Sequence, residues 1–98
     1  MSNKKKIIRN SFRNAVFDRD NYCCVGCGLK VDKNESLQKL DAHHITPREE
    51  MPNGGYVKEN GVTLCKNGCH EKAEYWLKNK MGDENFSPQR LYKKITRY

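Results

Sequence analysis

The sequence has no long hydrophobic run, and this absence excludes the first class of protein to consider. Its apolar stretches are no longer than four residues, whereas a helix that crosses a membrane needs about 20. It also lacks an excess of acidic residues, which argues against an acidic disordered activator. We therefore expect neither a membrane-spanning segment nor a membrane partner.

A secretory leader is also missing from the pattern. The basic start, Met1–Lys6, is followed by only two apolar residues, Ile7 and Ile8, where a signal peptide needs about 7–15. The five cysteines are an odd number, unlike a secreted scaffold that pairs all of its cysteines. Reduced thiols bind metals more often than they pair. The sequence therefore predicts a cytoplasmic protein whose cysteines bind a metal.

Basic residues are plentiful and lie mainly at the two ends of the chain. Lys and Arg exceed Asp and Glu by 19 to 12 over 98 residues, a net charge of +7. Residues 1–20 and 86–98 each carry a net charge of +4, and residues 21–85 carry −1. A solvated face would explain either basic arm alone. Two such arms around a cysteine-rich centre favour a surface that contacts phosphates.

Hydrophobic periodicity predicts short helices and strands. Apolar residues recur every three or four positions in the helices and alternate with polar residues in the strands. Ser87 followed by Pro88 is typical of a helix N-terminus. The predicted order is a helix (7–19), a cysteine knuckle (22–28), a loop (29–39), a strand (40–45), a return strand (62–64), a helix (69–81, ended by Gly82) and a last helix from residue 88.

The cysteines form two knuckles with the spacing of metal ligands. Cys24 and Cys27 make the first, and Cys65 and Cys69 make the second, with 37 residues between the two knuckles. Four thiolates suit a tetrahedral zinc site, which leaves no open position for catalysis. Bound zinc would also supply folding energy that the thin core of a short chain lacks.

Two alternatives for the zinc ligands stay open. Cys23 could replace Cys24, although the two-residue spacing to Cys27 matches the usual knuckle better. His70 follows Cys69 directly and could replace it as the fourth ligand.

The histidines cluster with the predicted metal region. His43 and His44 lie at the end of a predicted strand, where neighbouring side chains point to opposite faces. One can therefore bind a metal while the other faces a different target. His70 lies in the first turn of the predicted helix 69–81, and helix N-termini favour anions. These features together fit hydrolysis of a phosphodiester.

Four stretches of the chain together resemble one known family. The chain resembles the HNH endonucleases, which are ββα-metal nucleases, over roughly residues 12–75. The stretches that carry the resemblance are Arg19–Gly28, His43–Pro47, Gly54–Cys65 and Cys69–His70.

The resemblance implies a catalytic role for four residues. His43 and His70 would bind a divalent cation, Mg²⁺ or Mn²⁺. His44 would be the general base that activates the attacking water, and Asn60 would hold the loop that carries His44.

It also implies a structural zinc on Cys24, Cys27, Cys65 and Cys69, separate from the catalytic cation. The family more often has two residues than three between the last two of these cysteines, which leaves the exact ligand set open.

The predicted fold is a small α+β structure. Its core is of the ββα-metal (HNH, treble-clef-like) type, stapled by a structural zinc and flanked by N- and C-terminal helices. We expect a single nuclease domain over residues 1–98. It would comprise a basic N-terminal helix (1–20), the zinc-stapled core (21–82) and a basic C-terminal helix (83–98).

The predicted function is that of a metal-dependent endonuclease acting on double-stranded DNA. We expect the protein to come from a bacterium or a phage and to act in restriction, in a phage or in a mobile element. Cutting both strands would call for a homodimer, and other phage or restriction proteins could be partners. Candidate DNA contacts are Arg9, Arg13, Arg48, Lys93 and Lys94.

Two other hypotheses of function remain. The first is a zinc-stapled DNA-binding module without catalysis, and the weaker second is a rubredoxin-like electron carrier with iron on the four cysteines.

Overall fold

The structure, a computed structural model, describes residues 2–96, with side chains from Lys4 onward. Met1 of the N-terminal basic arm, and Arg97 and Tyr98 of the C-terminal basic arm, lie outside the described residues. The elements are α1 (Ser2–Arg19), α2 (Ser36–Lys39), β1 (Leu40–His44), β2 (Gly61–Cys65), α3 (Cys69–Asn79) and α4 (Pro88–Ile95), joined partly by short 3₁₀ turns. The predicted small α+β class is confirmed.

The two strands form an antiparallel hairpin between helices α1 and α3. Leu40 pairs with Cys65, and His44 pairs with Gly61. All of β2 is buried. A side chain at Gly61 would collide with Val16, so glycine permits the close approach of α1 to the sheet.

Helix α1 begins earlier than predicted, and only its second half packs on the sheet. Phe12, Val16 and Phe17 are buried. Ile8, which the periodicity assigned to the same apolar stripe, is 48% exposed. The strands are only five residues long, so Ile8 lies beside the loop between the strands, near Asn53 and Tyr56, and not on the sheet.

An ion pair at the end of α1 ties this helix to β2. Asp20 is 2% exposed, and its carboxylate accepts two hydrogen bonds from Arg19, at 2.9 and 2.8 Å. The same carboxylate accepts the backbone N–H of Thr63 at 3.0 Å. Arg19 also donates to the carbonyls of Lys58 and Gly61. One arginine and one aspartate therefore join the helix, the loop before β2 and the strand itself.

The structure corrects two predicted boundaries. The predicted loop 29–39 ends in the one-turn helix α2. Helix α3 ends at Asn79 because Lys80 adopts a left-handed conformation and caps it, so Gly82 is not the stop and Met81, 62% exposed, lies outside the helix.

Helix α4 confirms the cap read from the sequence. The Ser87 side chain accepts the N–H of Arg90, and Pro88 is the first helical residue. The helix starts at residue 88, as the sequence predicted. Leu91 and Ile95 are buried and join this helix to the core.

Within residues 2–96, none of the helices combines the length and the apolar character that a membrane crossing requires.

The ion pair at the end of α1 gives a first prediction about stability. Asp20→Ala leaves the Arg19 guanidinium and the Thr63 N–H without their buried acceptor, and should lower the free energy of unfolding by about 2–4 kcal/mol. Urea denaturation in saturating zinc measures the change. Asp32→Ala, which removes an exposed aspartate, is the matched control. Equal midpoints for the two variants would show that the ion pair does not hold the helix.

Candidate metal centres and active site

The four predicted zinc ligands meet at one end of the hairpin. Cys24 and Cys27 come from the knuckle, Cys65 ends β2, and Cys69 begins α3. Their Sγ atoms all lie within 4.8 Å of one another. The Sγ atoms of Cys27 and Cys65 are 3.9 Å apart, close to the edge of about 3.8 Å that a tetrahedron with Zn–S distances of about 2.3 Å requires. The cluster could therefore hold a zinc ion.

Backbone donors around Cys24 favour its thiolate form. The N–H groups of Cys27 and Cys65 point at its Sγ, at 3.4 and 3.2 Å. Burial acts to raise the pKa of Cys24, but these two donors and the thiols of Cys69 and Cys27 together lower the pKa below its ordinary value. The thiolate is the form that binds a metal.

The structure groups Cys24 and Cys69, and neither Cys23 nor His70, with Cys27 and Cys65. Cys23 forms an isolated β-bridge with Lys30, and its thiol points at the carbonyl of Asn21. His70 belongs to a second cluster. The three residues between Cys65 and Cys69 still bring both thiols into the first cluster.

The second cluster contains His43, His70 and Glu74. One ligand atom of each lies within 4.8 Å of the others. His43 comes from β1, whereas His70 and Glu74 are one turn apart on α3. The sequence prediction included the two histidines and missed Glu74. The only feature of the sequence that points to Glu74 is its spacing of four residues from His70, which places both on one face of a helix.

His43 has the environment of a metal ligand. It is 2% exposed, and neither ring nitrogen makes a hydrogen bond among the described residues, although Nδ1 lies 3.5 Å from Oε1 of Glu74. Burial, followed by the repulsion of His70 and His44, lowers the pKa of His43 to about 3. The ring is therefore neutral near pH 7. A buried nitrogen without a partner is costly, and a cation between His43, His70 and Glu74 would remove that cost.

Asp41 orients the second histidine of this cluster. Its Oδ2 lies 2.8 Å from Nδ1 of His70, and Nε2 of the same ring lies 3.1 Å from Oε1 of Glu74. A carboxylate on one ring nitrogen leaves the other for a cation, the usual arrangement behind metal-binding histidines. Asp41 also pairs with Lys66 at 3.2 Å. The sequence prediction missed Asp41, although it is two residues before His43 and so on the same face of β1.

His44 faces the other helix. Its ring stacks on Phe12 of α1, with centroids 4.5 Å apart and 19° between the planes, and meets the ring of Tyr56 edge-on at 4.9 Å. Burial and the charge of Arg48 lower the pKa of His44 below its ordinary value. Its Nε2 has no hydrogen-bond partner in the described part of the chain. Two aromatic rings therefore hold a neutral imidazole with a free nitrogen.

Asn60 clamps the loop that follows His44. Its Oδ1 accepts the N–H of Thr46 at 2.9 Å, and its Nδ2 donates to the carbonyls of Thr46 and Gly55, at 3.1 and 3.4 Å. The backbone carbonyl of Asn60 accepts the N–H of Ile45 at 2.8 Å. Gly55 has a φ of +66°, and a Cβ there would lie 2.6 Å from Nδ2 of Asn60. Glycine therefore gives the clamp its space.

A cleft borders the second cluster and His44. It has a volume of about 500 Å³, and its lining includes His43, His44, His70 and Glu74. Although the two neighbouring histidines pack against different helices, both line this one cleft, and Nε2 of His44 and both ring nitrogens of His43 are buried in its wall.

A second cleft of about 330 Å³ continues from His44 toward α1. Arg9, Arg13 and Arg48 line it together with Phe12 and Tyr56. Arg48 donates to the Tyr56 hydroxyl at 2.9 Å, and Nε of Arg13 is buried with no partner within residues 2–96. The structure thus brings three of the predicted DNA contacts together beside His44.

The other two predicted contacts lie elsewhere. Lys93 and Lys94 are on α4, and Nζ of Lys94 lies 5.6 Å from the centre of the Phe86 ring. Neither lysine is among the described residues that line the two clefts.

The cysteine cluster gives a prediction about metal content. The purified protein should contain one zinc per chain, and removal of the zinc should unfold it, because binding and folding are coupled. Cys24→Ser should lose the zinc. Cys23→Ser, the control, changes the neighbouring thiol and should keep the zinc. Elemental analysis together with circular dichroism measures both. Loss of zinc from Cys23→Ser would show that a different thiol set binds the metal.

Comparison with known proteins agrees with this geometry. A family model described as HNH endonuclease matches residues 24–75, which is more than half of the chain. No curated protein and no solved structure matches. The matched region contains the four clustered cysteines and also His43, His44, Asn60, His70 and Glu74. The chain belongs to the HNH endonuclease family.

Proposed function

We propose that this protein is a metal-dependent DNA endonuclease in which His44 accepts a proton from the attacking water. One observation carries the proposal. Two neighbouring histidines border the same cleft, one within a cluster of metal-binding donors and the other neutral with a free nitrogen. Hydrolysis of a phosphodiester needs both a cation and a base within reach of one phosphate.

The donor cluster is suited to hold the cation. His43 and His70 offer imidazole nitrogens and Glu74 offers a carboxylate oxygen. A divalent cation bound there would stabilise the negative charge that develops on the phosphate and on the leaving 3′ oxygen. Because imidazole suits transition metals better than it suits Mg²⁺, the donor set favours Mn²⁺ of the two ions expected from the sequence.

His44 has the protonation state that a general base needs. Its pKa is lowered by burial and by Arg48, so the neutral form predominates at pH 7. The stacked ring of Phe12 and the edge-on ring of Tyr56 restrict its rotation. A water on the cleft side of His44 can give up a proton to the ring as it attacks the phosphorus.

The arginine-lined cleft supports binding of a polyanion. Arg9, Arg13 and Arg48 concentrate three positive charges next to His44. The one carboxylate in the lining, Asp41, is already paired with His70 and Lys66. The cleft therefore keeps a positive charge that the phosphates beside the scissile bond can neutralise.

A DNA-binding module without catalysis is the second candidate. A module that only binds DNA gains nothing from burying the unpartnered nitrogens of His43, which cost stability in the absence of a ligand. That cost favours the nuclease. A role in restriction, in a phage or in a mobile element, and a homodimer that cuts both strands, remain proposals that follow from the family alone.

The proposed base gives the first test. His44→Ala should lower plasmid cleavage by about 10²–10⁴-fold, while its zinc content and its affinity for DNA stay close to those of the unchanged protein. Cleavage should need Mn²⁺ or Mg²⁺ and stop in EDTA. Gel assays of supercoiled plasmid report the rate and whether one or both strands are cut. The nuclease proposal fails if the unchanged protein cuts no DNA with any divalent ion.

The arginine cleft gives a second test, which compares two double variants that each remove two positive charges. Arg9→Gln combined with Arg13→Gln should weaken DNA binding and reduce the slope of log K against log salt by about two, one for each lost phosphate contact. Lys93→Gln combined with Lys94→Gln, which lie on α4, should reduce it less. Fluorescence anisotropy over a salt series measures both slopes. Equal slopes would contradict the assignment of the DNA path to the α1 cleft.

A further inference from the structure

Tyr92 reaches the Asn60 clamp from outside the part of the chain that matches the family model. It lies on α4, beyond the matched residues 24–75. Its hydroxyl donates to Oδ1 of Asn60 at 2.6 Å and lies 2.6 Å from Oγ1 of Thr46. The C-terminal helix therefore contacts both the clamp and the loop that the clamp holds.

The number of hydrogens fixes the direction of each bond. A phenol has one hydrogen, and Tyr92 gives it to Asn60. The Thr46 hydroxyl must therefore donate to Tyr92. The bonds form a closed ring, from the Thr46 hydroxyl to Tyr92, from Tyr92 to Asn60, and from the Thr46 N–H to the same oxygen of Asn60.

Tyr92 completes the bonding capacity of the Asn60 side chain. An amide oxygen accepts two hydrogen bonds and an amide nitrogen donates two. Oδ1 receives the Thr46 N–H and the Tyr92 hydroxyl, and Nδ2 donates to the carbonyls of Thr46 and Gly55. Asn60 is fully buried. Loss of the Tyr92 hydroxyl would leave a lone pair of Asn60 unsatisfied and the Thr46 hydroxyl without its acceptor.

The Tyr92 hydroxyl is not what docks α4. Leu91 and Ile95, on the same helix, are 1% and 7% exposed and join the hydrophobic core. The ring of Tyr92 packs against that core as well. Apolar burial therefore attaches the helix, and the polar end of Tyr92 acts on the loop after His44.

We propose, on the basis of the nuclease function proposed above, that Tyr92 is a positioning residue for the reaction. Through Asn60 and Thr46 it fixes the backbone two residues beyond His44 and so sets the position of the base in the cleft. It touches neither the substrate nor a metal ligand. Its effect falls on the rate of the chemical step and not on the affinity for DNA.

Tyr92→Phe tests this proposal because it removes the hydroxyl and keeps the ring. At a temperature where zinc content and circular dichroism show full folding, kcat should fall about tenfold and KM should stay within twofold. Tyr75→Phe is the matched control, since Tyr75 lies on α3 and is 55% exposed, and its kcat should not change. Thr46→Val removes the partner hydroxyl. Combining it with Tyr92→Phe should cost less than the product of the two single effects, because both act on one ring of bonds.

A second readout does not depend on activity. Exchange of the Thr46 amide hydrogen, followed by NMR, should become about tenfold faster in Tyr92→Phe. The Thr63 amide, which donates to Asp20, serves as the internal reference and should not change. If the unchanged protein cuts no DNA, the proposed function fails, while the exchange comparison still decides whether Tyr92 holds the loop.

Three results would overturn the role of Tyr92. The first is an unchanged kcat in Tyr92→Phe. The second is unchanged exchange at Thr46. The third is faster exchange at Thr46 and Thr63 alike, because that would report a general loss of stability and not a release of this loop.

Discussion

The alternation of side chains along one short strand is the constraint on which the site depends. His43 and His44 are neighbours in β1, so one ring packs against His70 of α3 and the other against Phe12 of α1. A shift of one residue in the register with β2 would exchange these environments. The Arg19–Asp20 pair helps to hold that register, because it joins α1 to the backbone of β2. Separation of the imidazole in the donor cluster from the imidazole of His44 thus follows from strand geometry, without any loop that moves.

A chain of 98 residues has only a small apolar core with which to position the site. Its apolar core is supplemented by a cluster of four thiols that could hold zinc at one end of the hairpin, and by the Asn60 clamp at the other. Cys65 and Cys69 link β2 directly to α3, so the same cluster also sets where α3 starts. His70 follows at once, and it therefore arrives opposite His43. The cysteine cluster and the proposed catalytic site share this short connection, and the position of each constrains the other.

The sequence predicted the parts of this site that depend on local periodicity. Opposite faces for His43 and His44 follow from a period of two, and they are observed. Glu74 was missed because its spacing from His70 has meaning only once α3 is known to face β1. The exposure of Ile8 could not be foreseen either, since helical periodicity does not reveal that the sheet ends before the helix does. Contacts between distant residues, such as Tyr92 with Asn60, have no local signal at all.

The central claim is that His43 and His44 have different tasks, and Mn²⁺ binding measured beside cleavage tests it most directly. Calorimetric titration of zinc-loaded protein should show that His43→Ala loses affinity for Mn²⁺, whereas His44→Ala retains it. Both variants should lose cleavage, the first for want of a cation and the second for want of a base. Loss of Mn²⁺ affinity in His44→Ala to the same extent as in His43→Ala would contradict the account, because the two rings would then serve one site.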